Sequence, residues 1–193
     1  MNLRNKTRLH KTRLASRRHS NGEKGAELVE LALVLPMLLL MLAGVLYYGR
    51  AWATKDVLDG ASRDGARVAV NDFNDTSNPQ CAGGTPCSVQ AAASAVVAAI
   101  GNANVDTCGM SPSTNPPTAT GTFAWTYTSN ACAASGQPWT MLIERAVPQT
   151  INNVNVMATR ITLSYPYAWN FVSVNPFGSP LQLGSQAMMT NLN

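Results

Sequence analysis

Nineteen consecutive residues, Leu31 through Gly49, carry no charge and are mostly leucine, valine, alanine and methionine. As a helix rising about 1.5 Å per residue the run is roughly 28 Å long, close to the hydrocarbon thickness of a bilayer. A water-soluble domain has no use for such a stretch, so the run reads as membrane-spanning. Pro36 lies inside it, which transmembrane helices tolerate and which can kink them. Tyr47 and Tyr48 lie at its end and Trp52 follows, with Arg50 and Lys55 beyond the run. That order marks the far membrane interface.

The flanking charges set the orientation. Residues 1–24 hold eight lysines and arginines against the single acid Glu23, a net of +7, and the remaining chain is −3. The basic end is expected to stay in the cytoplasm and the C-terminal body to cross. The competing reading, a nucleic-acid-binding arm, is disfavoured: the arm abuts the apolar run and has no interleaved aromatics. No nucleic-acid partner is therefore expected.

A secretory signal is cut after its apolar run, at small residues. Ala43-Gly44 is a weak candidate inside the run; Gly25-Ala26, before it, is the better junction. Cutting there would remove the basic leader, free an amine on Ala26 and leave the apolar helix on the product. Glu30 stands four residues after Ala26, on the same helix face. A carboxylate near a helix N-terminus is favoured by the dipole. Deeper in lipid and unpaired it would cost about 2.5–3.5 kcal/mol. Glu30 is thus expected to pair with an Ala26 amine, its own or that of a neighbouring subunit, and so to set register in an assembly.

The block GAELVELALVLPMLLLMLAGVLYYGRA, together with Ser62–Ala69, SRDGARVA, resembles the N-terminus of TadE-like proteins. These are pilin-like components of the tight-adherence (Flp-type) pilus machinery. Leu31 stands where an aromatic often follows the glutamate, Asp64 replaces a glutamate, and Glu27 is an additional acid. The resemblance implies cleavage after Gly25 by a prepilin peptidase, partnership with sibling pseudopilins and the pilin of the same system, and a structural role as a minor pilin or pseudopilin. It also implies an inner-membrane, single-pass protein with a periplasmic or extracellular head.

The organisation expected from the residues is a leader over 1–25, a transmembrane helix over 26–50, an amphipathic stalk over 51–70 and a head over 71–193. In the stalk, Val57, Ala61, Gly65, Val68 and Ala69 share a face. Ala61, Gly65 and Ala69 form a small-residue stripe that would pack on the chain's own head or on another subunit. Asp59 and Arg63 have the supportive i, i+4 order.

In the head, 88–103 reads as a second helix with Ser88 as cap and an apolar face of Val89, Ala93, Val96, Val97 and Ile100. Strands are expected over 121–128, with Phe123, Trp125 and Tyr127 on one face, and over 139–147, 154–165 and 181–190. In the strand over 154–165 the apolar set changes parity, which calls for a bulge or burial on both faces. The fold class is α+β: a long N-terminal transmembrane and stalk helix packed on a small antiparallel sheet head with one additional helix.

Cys81, Cys87, Cys108 and Cys132 lie in the segment expected outside the cytoplasm, where disulfides form. Three pairings are possible; Cys81–Cys87, a tight loop, and Cys108–Cys132 are favoured. Both histidines, His10 and His19, lie in the leader. With no histidine after cleavage and no CxxC pair, neither a metal nor any other cofactor is expected. Catalysis is not expected either: no Ser/His/Asp or Cys/His set survives, and no glycine-rich phosphate loop follows a strand. Glu144 and Arg145 are expected at solvated edge positions. The rival class is a signal-anchored binding module whose aromatic loop, 165–177, recognises a surface glycan or protein.

Overall fold

The computed structural model describes residues 21–71, 80–81, 84–168 and 179–191. The leader through residue 20, the loop positions 72–79 and most of the aromatic loop, with Trp169, Phe171, Pro176 and Phe177, lie outside the described residues. So do Gly83 and both histidines.

Helix α1 runs Asn21–Asn71 with Pro36 inside it. It begins several residues before the expected start at Ala26, so Glu23 and Lys24 are helical. By compactness the chain divides into two units, residues 1–44 and 45–193. The described part of the first unit is the N-terminal portion of α1.

In the second unit, α1 is followed by a two-stranded ribbon, β1 (Gln80–Cys81) and β2 (Thr85–Pro86), and by helix α2 (Cys87–Asn102). Then come β3 (Thr118–Gly121), β4 (Ala124–Ala131), β5 (Pro138–Ile151), β6 (Val154–Tyr167) and β7 (Leu181–Thr190). Among the described residues these five form an antiparallel sheet in sequence order. The fold is α+β, with a long apolar N-terminal helix, one further helix and an antiparallel sheet.

Alternation of side chains sorts the sheet into two faces. Trp125, Ile143, Ile161 and Ala187 lie opposite one another across β4 to β7, and so do Tyr127, Met141, Leu163 and Ser185. These rows face the core, joined by Leu58, Ala61, Ala66 and Ala69 of α1 and by Val89, Ala93, Val96 and Ile100 of α2. The other face carries Thr126, Leu142, Thr162 and Gln186 in one row and Thr128, Thr140, Ser164 and Gly184 in the next. Hydroxyl and amide groups dominate that face because it meets solvent.

Several strand expectations are corrected. Phe123 lies before β4 and is exposed, Trp125 is half-buried, and of the expected aromatic face Tyr127 is buried. β5 continues through Pro148 to Ile151. Pairing with β4 ends at Glu144, so Pro148 sits where one flank of the strand is open and its missing N–H is tolerated. Asn152 and Asn153 both have positive φ, 51° and 64°, and join β5 to β6 as a two-residue turn, whose twist matches the strands. The bulge foreseen in β6 lies instead in β5: between Glu144 and Val147 two residues oppose Thr159, and Ala146 takes φ 59°. The step buries both Ala158 and Thr159.

Helix α2 starts one residue earlier than expected, at Cys87, with Pro86 at the cap position and no side-chain cap. The cysteines form Cys81–Cys87 and Cys108–Cys132. Trp139 and Tyr165 reinforce the second bridge: Trp139 Nε1 donates to the Thr107 carbonyl and the Tyr165 hydroxyl to that of Asp106.

At Gly65 α1 passes close against the rest of the head. A Cβ there would lie 2.4 Å from Val96 Cγ2 and 3.0 Å from Ile161 Cδ1. Gly60, five residues earlier, has open space around it. Gly65→Val is therefore expected to lower stability by about 2 kcal/mol through overpacking, whereas Gly60→Ala is expected to raise it by about 1 kcal/mol through helix propensity. Urea unfolding of the full chain in detergent checks both signs.

Candidate functional site

The residues singled out for processing and assembly lie together on α1. Gly25, Ala26 and Glu30 are helical and exposed. Ala26 and Glu30 stand one turn apart. Among the described residues no ion pair or hydrogen bond engages Glu30, and a Cβ at Gly25 would meet nothing within 4 Å. The apolar run after them is uncovered by the chain itself: Leu33 is 75% and Met41 71% exposed. α1 is long and apolar enough to cross a membrane once. The run is leucine-rich on all sides, so no single face of it is marked for the chain's own core.

The stalk behaves oppositely. Ala61, Gly65 and Ala69 are buried in the core of this chain, against α2 and β6 at Gly65. Leu58 is fully buried as well, a position the stripe of small residues did not point to. A polar patch closes this contact. The Lys55 ammonium pairs with Asp59, the Ser62 hydroxyl donates to the Asp59 carbonyl, and the Ser62 and Ser185 hydroxyls lie 3.0 Å apart. Asp59 thus takes its ion pair from one turn before, with Arg63 as a more distant charge. Burial alone would raise the Asp59 carboxyl, but hydrogen bonds from Lys55 and Ser185 hold it below the ordinary carboxylate value.

Glu144 and Arg145 part company at the β5 bulge. Glu144 stays on the solvent face and receives two hydrogen bonds from Arg160, 2.6 and 2.9 Å, across the strand pair. That fork geometry is the strong form of the pair and raises the Arg160 guanidinium above its usual value. Arg145, expected at a solvated edge, is only 7% exposed. Its Nη1 donates to Ser88 Oγ at 2.8 Å. Ser88, expected to cap α2, instead receives this buried cation. The local sequence carried no sign of either fact, because a bulge two residues wide reverses which side chain points inward.

All four cysteines are oxidised, so no thiol is available. Among the described residues no three His, Cys, Asp or Glu side chains gather as a metal site would need. Asp106 is occupied in a local turn, its Oδ1 accepting from the Cys108 N–H.

Residues 25–67 match the family model described as TadE-like protein. The TadE-like segment begins at Gly25, spans the apolar run and closes at Arg67, so it takes in Ala26, Glu30, Ala61 and Gly65 and leaves the sheet outside. No curated protein and no solved structure is matched.

In the head behind the TadE-like segment, the Tyr127 hydroxyl is buried without a hydrogen-bond partner. Burial pushes its pKa up to about 12, against about 10 for an exposed tyrosine. The folded value exceeds the unfolded one, so the folded state keeps its full advantage below about pH 10 and loses it as pH rises towards 12. Tyr127→Phe is expected to remove that alkaline loss and, at pH 7, to leave stability unchanged or raise it by about 1 kcal/mol. Urea midpoints of both proteins at pH 7 and at pH 11 check the two effects.

Proposed function

We propose that this chain is a minor pilin or pseudopilin of a tight-adherence pilus system, made as an N-in, single-pass precursor in the cytoplasmic membrane. The TadE-like segment and the apolar helix support a membrane-anchored component associated with such a pilus, and the family is a structural one. The observation that carries the finer reading is the coincidence of the start of the match with the junction Gly25-Ala26, at the head of an apolar helix that its own chain leaves bare. A prepilin peptidase cutting there removes the +7 leader and leaves Ala26 as the new N-terminus. The bare helix is then equally well buried in lipid or in a bundle of sister helices from sibling pseudopilins and the pilin.

In this reading Glu30 fixes register. Within a bundle of apolar helices a carboxylate is costly unless it meets a cation, and the Ala26 amine of a neighbour is the cation that processing creates. The stalk stripe of Ala61, Gly65 and Ala69 then serves the chain's own head and not subunit contact, because it is already buried. The head, whose described outer face is largely hydroxyl and amide, is carried on the far side of the membrane.

Mass spectrometry of the protein from its native membrane is expected to give a chain beginning at Ala26, and Gly25→Leu is expected to leave it full-length. A wild-type chain still carrying Met1 overturns the reading. Glu30→Ala is expected to keep membrane insertion and lose assembly into the pilus system, read as loss of co-purification with its pilin; unchanged co-purification removes the register role.

A further inference from the structure

Between α1 and β7 the head leaves an open groove of about 410 Å³, lined by Tyr48, Ala51, Trp52 and Lys55 on the helix side and by residues 181–184 on the strand side. We infer that this groove seats one acyl chain of a phospholipid from the leaflet on the head's side of the membrane. The inference rests on the reading of α1 as a membrane anchor.

Three observations point to a lipid chain. The first is the lining. Ala51, Leu181, Leu183 and the rings of Tyr48 and Trp52 make most of it hydrocarbon, and the Gln182 amide is taken by Ser164 and Gln137. A hydrocarbon chain needs no polar partner there.

The second is location. The groove lies where the apolar run of α1 ends, at Tyr48 and Trp52, the aromatic pair that belongs at the level of the headgroups. Trp52 is 58% and Leu181 45% exposed, so the fold leaves uncovered the apolar surface that hydrocarbon would cover.

The third is charge. Lys55 is the groove-lining residue of α1 farthest in sequence from the apolar run, and its ammonium has three donors, of which Asp59 takes one. A phosphate at the end of the seated chain would use the others. The site would hold the head at a fixed height against the bilayer until the helix is withdrawn.

Full-length protein in vesicles of phosphatidylcholine bearing a diazirine midway along one acyl chain tests this. After irradiation, lipid adducts are expected on residues 181–184 as well as on the run 31–46. Ala51→Phe raises the floor of the groove, and Leu181→Trp fills it from the strand side, where Leu181 shares the face of β7 that meets α1 and is 45% exposed. Each is expected to cut the strand adducts at least fivefold, leave those on the run unchanged and preserve the near-ultraviolet circular dichroism. Adducts on the run with none on 181–184, or strand adducts indifferent to both substitutions, overturn the lipid seat and leave the membrane anchor standing. With a photoreactive amino acid placed at Gln182, cross-links to α1 of a second copy in place of lipid adducts overturn it in favour of a subunit contact. Absence of adducts on the run itself overturns the anchor, and the lipid seat with it.

Discussion

The head depends on one close contact, the passage of α1 against α2 and β6 at Gly65. Only a residue without a side chain lets Val96 and Ile161 meet the helix backbone at that distance. Once α1 is seated there, Leu58, Ala61, Ala66 and Ala69 complete the wall that the inner rows of the sheet lack. A five-stranded sheet with one small helix on it would leave the rest of its apolar face wet. The C-terminal part of α1 supplies the remaining cover, so the segment leading from the anchor is also a structural element of the head.

Polar contacts fix where that cover sits. Hydrophobic burial is proportional to area and carries little positional information. Ser62 against Ser185, and Asp59 beside both, place α1 on β7 at a defined height. On the opposite end of the core, Arg145 reaching Ser88 ties β5 to α2. The two disulfides act locally, one at the entry of α2 and one between the loop after it and the end of β4. The long irregular stretch from residue 103 to 117 is thus held by a covalent bridge, by Trp139 and by Tyr165.

The two parts of α1 face different surroundings for a reason visible in their side chains. Before residue 50, leucine and methionine surround the helix and stand exposed among the described residues. After it, small residues mark one side and acids and bases the other. A helix apolar all round needs an apolar solvent or other helices of its kind, whereas an amphipathic one needs a single partner face. The proposed passage from membrane to filament concerns the first part, whereas the core contacts of α1, Leu58, Ala61, Ala66 and Ala69, lie in the second.

The sequence by itself determined the long apolar N-terminal helix, the charge asymmetry, the α+β class and the extent of β7, because these follow from composition and periodicity within one segment. It also marked Ala61, Gly65 and Ala69 as a contact face, since small residues at helical spacing do so without reference to the partner. The tertiary structure alone decided what that face meets, that Leu58 joins it, that β5 carries the bulge, and that Arg145 turns inward to Ser88 while Glu144 stays out with Arg160. Those outcomes depend on register between strands distant in sequence. A shift of one residue exchanges the two faces of a strand, and no local pattern records it.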